Sequence, residues 1–503
     1  MKGVPRARRI TSISPSGKSS AKPRTQADKL TSCGSIPTMK HTLTAFRLGD
    51  IRGIFPTEID DAFALAFAHG VAHHFKLKGT VAVGRDMRDS SPGLQQSLIK
   101  GLLASGVDVV DLGLCATELG YFASSLPGIA AAIVVTASHN PAAFNGFKLV
   151  LKNGKAVTFD DGLDSVMALM LSGHTNHGKS GTMLERDVHQ DYVAYLLQQF
   201  QPALLTSGLI ALNGLNGTAA TLAHDIAHGF KLPVEWVRRL PGPIPDCGAD
   251  PSQPLLIAEM THFMQSGKFA LGVAWDGDCD RCVFFDGSGK LVPTYYVVGI
   301  LAEHYLKAYP GAAIVYDSKL CMNTLDIIQR LKGKAIRSET GHAFMKQHMR
   351  KNQAVYGGEL SSHHYFGAFN GCDSGMIAWL KMIQILAETD QTLAEIVEQA
   401  RANVCSTTEL NLTLGDTKAA LEHILNCYGR QALGVDFFDG LSFEMPGHWR
   451  FTLRPSKTEP LVRLNLEARG NADELINEGV KLLAELSHFQ TPGSDWPVTP
   501  VIQ

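Results

Sequence analysis

Two kinds of apolar pattern divide the chain. TVAVGRD at 80–86, VDVVDLG at 107–113 and IAAAIVVTAS at 129–138 are near-continuous apolar runs of strand length, the pattern of strands covered on both faces. Between the first two, Ser91-Pro92 offers an N-cap and a first-turn proline for a helix that carries Leu94, Leu98 and Leu102. Such alternation predicts helices packed on a mostly parallel sheet.

The same grammar recurs twice. FALGVAW runs into DGDCDR and returns as CVFFDGSG; further on, AAIVYDSK leads through a helix to AVYGG, which runs into ELSSHHYF. In all three units an apolar strand ends in a polar cluster: TASHN, DGDCDR, GELSSHH. Ligands of open α/β sheets sit beyond the carboxyl ends of strands, so the three clusters are expected to converge on one cleft.

The last hundred residues alternate differently. LSFEM, PGHWRFTL and PLVRLNLEAR place Leu441, Phe443 and Met445, then Val462, Leu464 and Leu466, on one face of half-buried antiparallel strands. A helix from Ala472 toward Leu486 follows, and the loop RPSKTEP joins two of the strands. The predicted fold class is α/β: three consecutive mixed or parallel α/β domains and a C-terminal α+β domain around a central cleft. Their expected bounds are 39–186, 187–291, 292–404 and 405–490, with a tail at 491–503.

Composition sharpens this picture in three places. With 503 residues, 45% of them hydrophobic, the chain can build several cores, because single cores stop growing near ~250–300 residues. No apolar stretch reaches the ~20 residues of a membrane-spanning helix, so no membrane partner is expected. Nine scattered cysteines argue against a disulfide framework and for a reducing, cytoplasmic setting. Cys279 and Cys282 form a C-x-x-C, but without a second pair at ligand spacing it carries no expectation of zinc or redox chemistry.

Residues 1–38 hold eight Lys or Arg against one acid, a surplus of seven that leaves the body nine negative in a chain of net charge −2. That composition fits a disordered arm, a transit peptide or an upstream-start artefact, and Met39, opening onto structured-looking sequence, favours the last. Since the basic residues sit in this segment and the body is acidic, no nucleic-acid partner is expected.

DGDCDR crowds Asp276, Asp278 and Asp280 around Gly277, and acids so close repel unless a hard cation neutralises them. An EF-hand loop is excluded, because its sixth and twelfth positions would be Arg281 and Gly287. RPSKTEP offers Arg454, Ser456, Lys457 and Thr458, a set suited to a phosphate dianion. GELSSHHYF supplies Glu359, Ser361, His363 and His364, able to hold sugar hydroxyls, with one of the two histidines expected to be structural. Ser138 beside His139 at a strand end admits a hydrolase nucleophile, a phosphate-carrying serine or a plain turn.

Together these segments resemble the α-D-phosphohexomutase family from about Phe46 to the end, with TASHNP, DGDCDR, GELSSHHYF and RPSKTEP in the family's order and spacing. YGGELSSHHYF followed by CDSGMIAWL looks most like the bacterial phosphomannomutases. The resemblance implies that Ser138 carries a phosphoryl group and that Ser138, Asp276, Asp278 and Asp280 hold one Mg²⁺. A G-x-S-x-G elbow, the mark of the hydrolase reading, is absent.

By the same resemblance Lys148 transfers protons, and Arg52, His139 and Arg281 lie near the transferred phosphate. Lys319, His342, Glu359, Ser361 and His363 contact the sugar, and Arg454, Ser456, Lys457 and Thr458 hold the other phosphate. The implied reaction moves phosphate between O1 and O6 of mannose, and of glucose as well, through a hexose 1,6-bisphosphate that also activates the enzyme. A main activity on glucose, a sugar phosphatase and a degenerate sugar-phosphate binder are the competing readings. The expected partners are sugar phosphates, in a monomer or homodimer. Two departures stand out: Gly49 replaces the family's usual aromatic in FRAYDIRG, and GADPSQP keeps only Pro254 of a proline-rich segment.

Overall fold

The computed structural model describes residues 44–47, 49–176, 179–200, 208–245, 248–389, 391–456 and 461–503. The basic extension at 1–38, Met39, Lys457 and Thr458 lie outside them. Among the described residues four sheets follow one another along the chain, of seven, five, five and six strands.

In the first sheet, Thr80–Arg85 runs parallel to Asp108–Leu114 on one side and to Ile129–Val135 on the other. The next strand, Phe144–Leu151, turns back antiparallel to Ile129–Val135. The intervening residues 136–143 are fewer than the dozen or so a parallel crossover requires, so TASHNP caps a hairpin rather than leading into a helix. DGDCDR does the same between the antiparallel strands Phe269–Trp275 and Cys282–Phe285. GELSSHH repeats it between Tyr356–Gly358 and His364–Phe366. The sheets are therefore mixed, with parallel strands at their centres and a returning strand wherever a polar cluster sits.

Leu94, Leu98 and Leu102 are buried on the helix Ser91–Ala104. The cap falls one residue earlier than the sequence suggests: Ser90 is the N-cap, and the Ser91 hydroxyl, already inside the first turn, donates to Asp86 at 2.6 Å instead. The stronger acceptor nearby, a buried carboxylate, takes the hydroxyl that capping would have used.

One apolar cluster runs through the first three sheets and includes Ala82, Tyr192, Leu212, Trp275, Tyr356 and Trp379. Trp275, at the end of the strand that leads into DGDCDR, meets Trp379 edge-on at 5.4 Å between ring centres. The last sheet is antiparallel throughout and keeps its own core, in which Leu441, Phe443, Met445, Val462, Leu464 and Leu466 are all buried. A polar joint ties it to the third sheet: Glu467 accepts from Tyr295 Oη and the backbone amides of Cys321 and Met322, while Arg450 donates to Glu467 and to the carbonyls of Ser318 and Lys319. Among the described residues no helix is long and apolar enough to cross a membrane.

Candidate active site

Three hairpin tips meet, and each contains one non-glycine residue in the left-handed region: Ser138 at φ 53°, Cys279 at φ 65° and Ser362 at φ 69°. Such residues cost of order 1–3 kcal/mol each and persist where the surroundings over-determine them. For the first tip the clamp is Arg88, a fully buried guanidinium that donates to Asp86 and to the carbonyls of Ser138, Asn140, Pro141 and Phe144.

Thus held, Ser138 Oγ donates to Asp276 Oδ2 at 3.1 Å and lies 3.3 Å from His139 Nδ1. Asp276 Oδ1 accepts from the amides of Asp280 and Arg281. Asp278 Oδ2 accepts from Lys148 Nζ at 2.6 Å, Thr117 Oγ at 2.8 Å and Thr136 Oγ at 3.2 Å, and Lys148 also donates to Asp280 Oδ2.

All three aspartates are buried, with one oxygen of each within 4.8 Å of the others. Asp278 Oδ1 and Asp280 Oδ1 have no hydrogen-bond partner among the described residues. Burial, then Asp280 and Asp278, push the Asp276 carboxyl well above its usual range. Burial also opposes the charge on Asp278 and Asp280, but Lys148 with the Thr117 hydroxyl at the first, and Lys148 with His363 and Arg281 at the second, together hold both low. Lys148 in turn is opposed by burial yet held above its usual value by the same two carboxylates. A cluster of three buried carboxylates with two orphaned oxygens and one ammonium fits a hard oxygen-ligated dication.

Arg52 donates to Asp50 and to Asn140 Oδ1, both at 2.8 Å. Arg281 donates from Nε to His363 Nε2 at 3.2 Å and lies 3.7 Å from Asp276. Arg281, then burial and Arg52, lower the His139 pKa to about 2, so this imidazole stays neutral between two guanidiniums. A cavity of about 470 Å³ is lined by His139, Arg281, Lys319, Ser361, Ser362 and Arg463. A second, of about 780 Å³, is lined by Asp50, Arg52, Asn140, His342, Arg454, Ser456 and Arg463. TASHN stands between the two, giving His139 to one and Asn140 to the other.

Glu359 lines neither cavity. Its oxygens accept from Gly341 N at 2.8 Å and Tyr365 Oη at 2.5 Å, which ties the ELSSHH tip to the TGHAF turn. His363 faces Asp280 and Asp373, whereas His364 is the structural histidine: burial lowers its pKa to about 3, and its Nδ1 pairs with Tyr356 Oη at 2.8 Å. Burial likewise takes His342 down to about 3. Cys279 and Cys282 are buried free thiols outside every metal-capable group of the described residues. Gly49 has a local reason: a Cβ there would stand 2.9 Å from Ala343 Cβ and 3.6 Å from His342 Nε2, so an aromatic at this position requires the TGHAF turn to move away.

Sequence reading missed Arg88, Thr117, Glu118, Lys346 and Asp373. Lys346 pairs with Asp373 at 2.8 Å, and Asp373 lies 3.0 Å from His363 Nδ1, behind the carboxylate loop. Glu118 is fully buried and accepts from Ser374 Oγ, from Tyr192 Oη at 3.3 Å and from Cys279 Sγ at 3.7 Å, joining the three α/β regions under DGDCDR. Burial outweighs these bonds and raises its pKa to about 8. A carboxyl whose pKa rises on folding adds stability that is full below the unfolded value near 4.5 and declines as pH climbs through about 8. Glu118→Gln should therefore flatten the fall in melting temperature over that window, and identical pH slopes for variant and wild type would count against a protonated Glu118. Glu118→Leu should destabilise by about 1–3 kcal/mol for each hydroxyl left unpaired.

Fold and site together define a phosphoryl-transfer enzyme in which a strand-end serine faces a carboxylate cluster between two basic cavities. The comparisons make the class specific. Residues 43–172 match the model of phosphoglucomutase/phosphomannomutase α/β/α domain I, and residues 293–403 that of domain III. A phosphomannomutase of Escherichia coli is 37% identical over 456 residues, covering 88% of this chain and 99% of that protein. Phosphohexose mutases of Xanthomonas campestris pv. campestris are 37% identical over 435 residues, 86% of this chain and 96% of theirs. The crystal structure of a phosphoglucomutase/phosphomannomutase family protein from Burkholderia thailandensis superposes with a TM-score of 0.78 at 27% identity, over 92% of this chain and 100% of that one. This chain belongs to the phosphoglucomutase/phosphomannomutase family, the α-D-phosphohexomutases, and is an isomerase of that class.

Proposed function

We propose that the protein interconverts mannose 6-phosphate and mannose 1-phosphate, and the corresponding glucose phosphates, by passing the phosphoryl group through Ser138. The observation that carries this reading is the left-handed Ser138, its Oγ 3.1 Å from Asp276 inside a buried carboxylate cluster backed by Lys148. Four domains divide the work, each sheet providing one polar tip or loop. Mg²⁺ is the cation proposed for Ser138, Asp276, Asp278 and Asp280, where it would draw charge from the phosphoryl oxygens.

The chain's own groups set the rest. The free sugar hydroxyl attacks phosphorus, the bond to Ser138 Oγ breaks, and a hexose 1,6-bisphosphate results. The net proton movement is from sugar hydroxyl to serine oxygen, with Lys148 as the proposed carrier. Arg52, Arg281 and neutral His139 flank the phosphoryl group without competing for its proton. The bisphosphate turns around, and its other phosphate returns to Ser138. Lys319, His342, Ser361, His363 and Glu359 are assigned to the sugar, Glu359 sharing an oxygen now held by Gly341 or Tyr365.

Arg454 and Ser456, with Lys457 and Thr458, form the proposed clamp for the phosphate that is not moving. Arg454 fits this role because its Nε and Nη2 are buried without a partner among the described residues, at the wall of the larger cavity. Arg454→Ala should lower kcat/KM by about 10–100-fold for both sugars, chiefly through KM, as loss of one charge-assisted pair implies. An unchanged kcat/KM would remove the loop from the clamp.

Mannose and glucose differ only in configuration at C2, and none of the residues assigned above to the sugar or its phosphates is assigned to that hydroxyl. The two sugars should therefore be used within roughly 100-fold of one another in kcat/KM. Coupled assays on mannose 1-phosphate and glucose 1-phosphate under identical magnesium test this, and a preference beyond a thousandfold would reveal a C2-reading residue.

A further inference from the structure

The C-terminal lobe carries a group of metal-capable side chains apart from those of the active site and chemically unlike the aspartate cluster. His423 and Cys427 lie one turn apart on the helix Thr417–Tyr428, and Glu485 projects toward them from the helix Ala472–Ser487. His423 Nε2 stands 2.8 Å from Glu485 Oε2 and 3.5 Å from Cys427 Sγ, and all three donor atoms lie within 4.8 Å of one another. None of these residues lines either cavity of the active site.

We propose that His423, Cys427 and Glu485 form a zinc-class cation site that clips the two helices together. An imidazole, a thiolate and a carboxylate are the donors that such cations select, whereas Mg²⁺ disfavours sulfur. With zinc bond lengths, tetrahedral geometry places nitrogen and sulfur donors about 3.6 Å apart and nitrogen and oxygen donors about 3.3 Å apart. The sulfur is thus already at ligand spacing, and Glu485 needs to withdraw by only about 0.5 Å. Neutral His423 with anionic Glu485 and Cys427 supplies the two negative charges a dication needs.

Access is open. The side chains of His423 and Glu485 are 35% and 42% exposed, and Cys427 is the one cysteine among the described residues that is not buried. A solvent molecule can complete the tetrahedron from outside. The metal-free cluster gains little from its thiol, whose S–H is a weak hydrogen-bonding group 3.5 Å from His423 Nε2. Binding releases that proton and replaces a poor hydrogen bond with a metal–sulfur bond.

Cobalt(II) is the probe, titrated into the full chain in excess magnesium. The metal-capable groups of the active site contain no thiol and cannot give a thiolate-to-cobalt charge-transfer band, so among the described groups that band reads this cluster alone. One equivalent should saturate it. C427S should abolish it, and H423A and E485Q should weaken cobalt binding at least about 10–100-fold, the range that loss of even an outer partner produces. Mutase turnover in magnesium should be unchanged in C427S, which also verifies its fold. No thiolate band, a band that survives C427S, or a band indifferent to both H423A and E485Q would overturn the proposal.

Discussion

Ser138→Ala should reduce turnover by more than about 10⁴-fold, the scale on which loss of a covalent nucleophile is felt in other enzymes. The hydroxyl sits on a residue at φ 53°, locked by Arg88 through four carbonyls of its own tip, and aimed at Asp276 at 3.1 Å. No neighbour can take its place, because Thr136 Oγ is already committed to Asp278 and to the amide of Ser138. The variant should also lack the ~80 Da phosphate mass carried by the wild type. Alanine is tolerated sterically, so its melting temperature should stay close to that of the wild type. Wild-type turnover in this variant would remove the covalent carrier from the account.

Asp278→Asn should rank next, with magnesium bound at least about 100-fold more weakly and turnover down by about 10³-fold, in line with the loss of a charge-stabilising ligand. Asp278 Oδ2 receives three donors, from Lys148, Thr117 and Thr136, while Oδ1 has none among the described residues. An amide cannot satisfy both sides: its nitrogen either meets three donors or faces the cation. Among the described residues Lys148 would also keep only Asp280 as a directly paired carboxylate. Magnesium titration of the variant, together with elemental analysis of wild type held in excess chelator, checks this. Full activity with no retained metal would contradict the metal's role.

The three polar tips were readable in the sequence because a strand buried on both faces has no use for Ser-His-Asn or Asp-Gly-Asp at its end. The antiparallel return after each tip was not predicted: the apolar runs suggested a mostly parallel sheet, and only the observed start of the next strand leaves residues 136–143 too short for a crossover. Membership of the cluster was harder. Arg88 and Glu118 look like ordinary surface charges in their local context, and only partners far along the chain, Ser138 to Phe144 for one and Ser374 for the other, bury them. Asp373 and Lys346 are invisible for the same reason: a buried ion pair across two elements leaves no periodic trace. Gly49 looked like a lost aromatic, and its backing against Ala343 becomes apparent only once the TGHAF turn is in place.

The most direct test of the account is phosphorus NMR of the purified protein with magnesium, a catalytic amount of hexose 1,6-bisphosphate and mannose 1-phosphate, followed by mass mapping of the phosphopeptide. The account predicts that mannose 6-phosphate accumulates to equilibrium without inorganic phosphate and that the phosphoryl group maps to Ser138. Inorganic phosphate rising as fast as mannose 1-phosphate disappears, or conversion proceeding with Ser138 never phosphorylated, would contradict it.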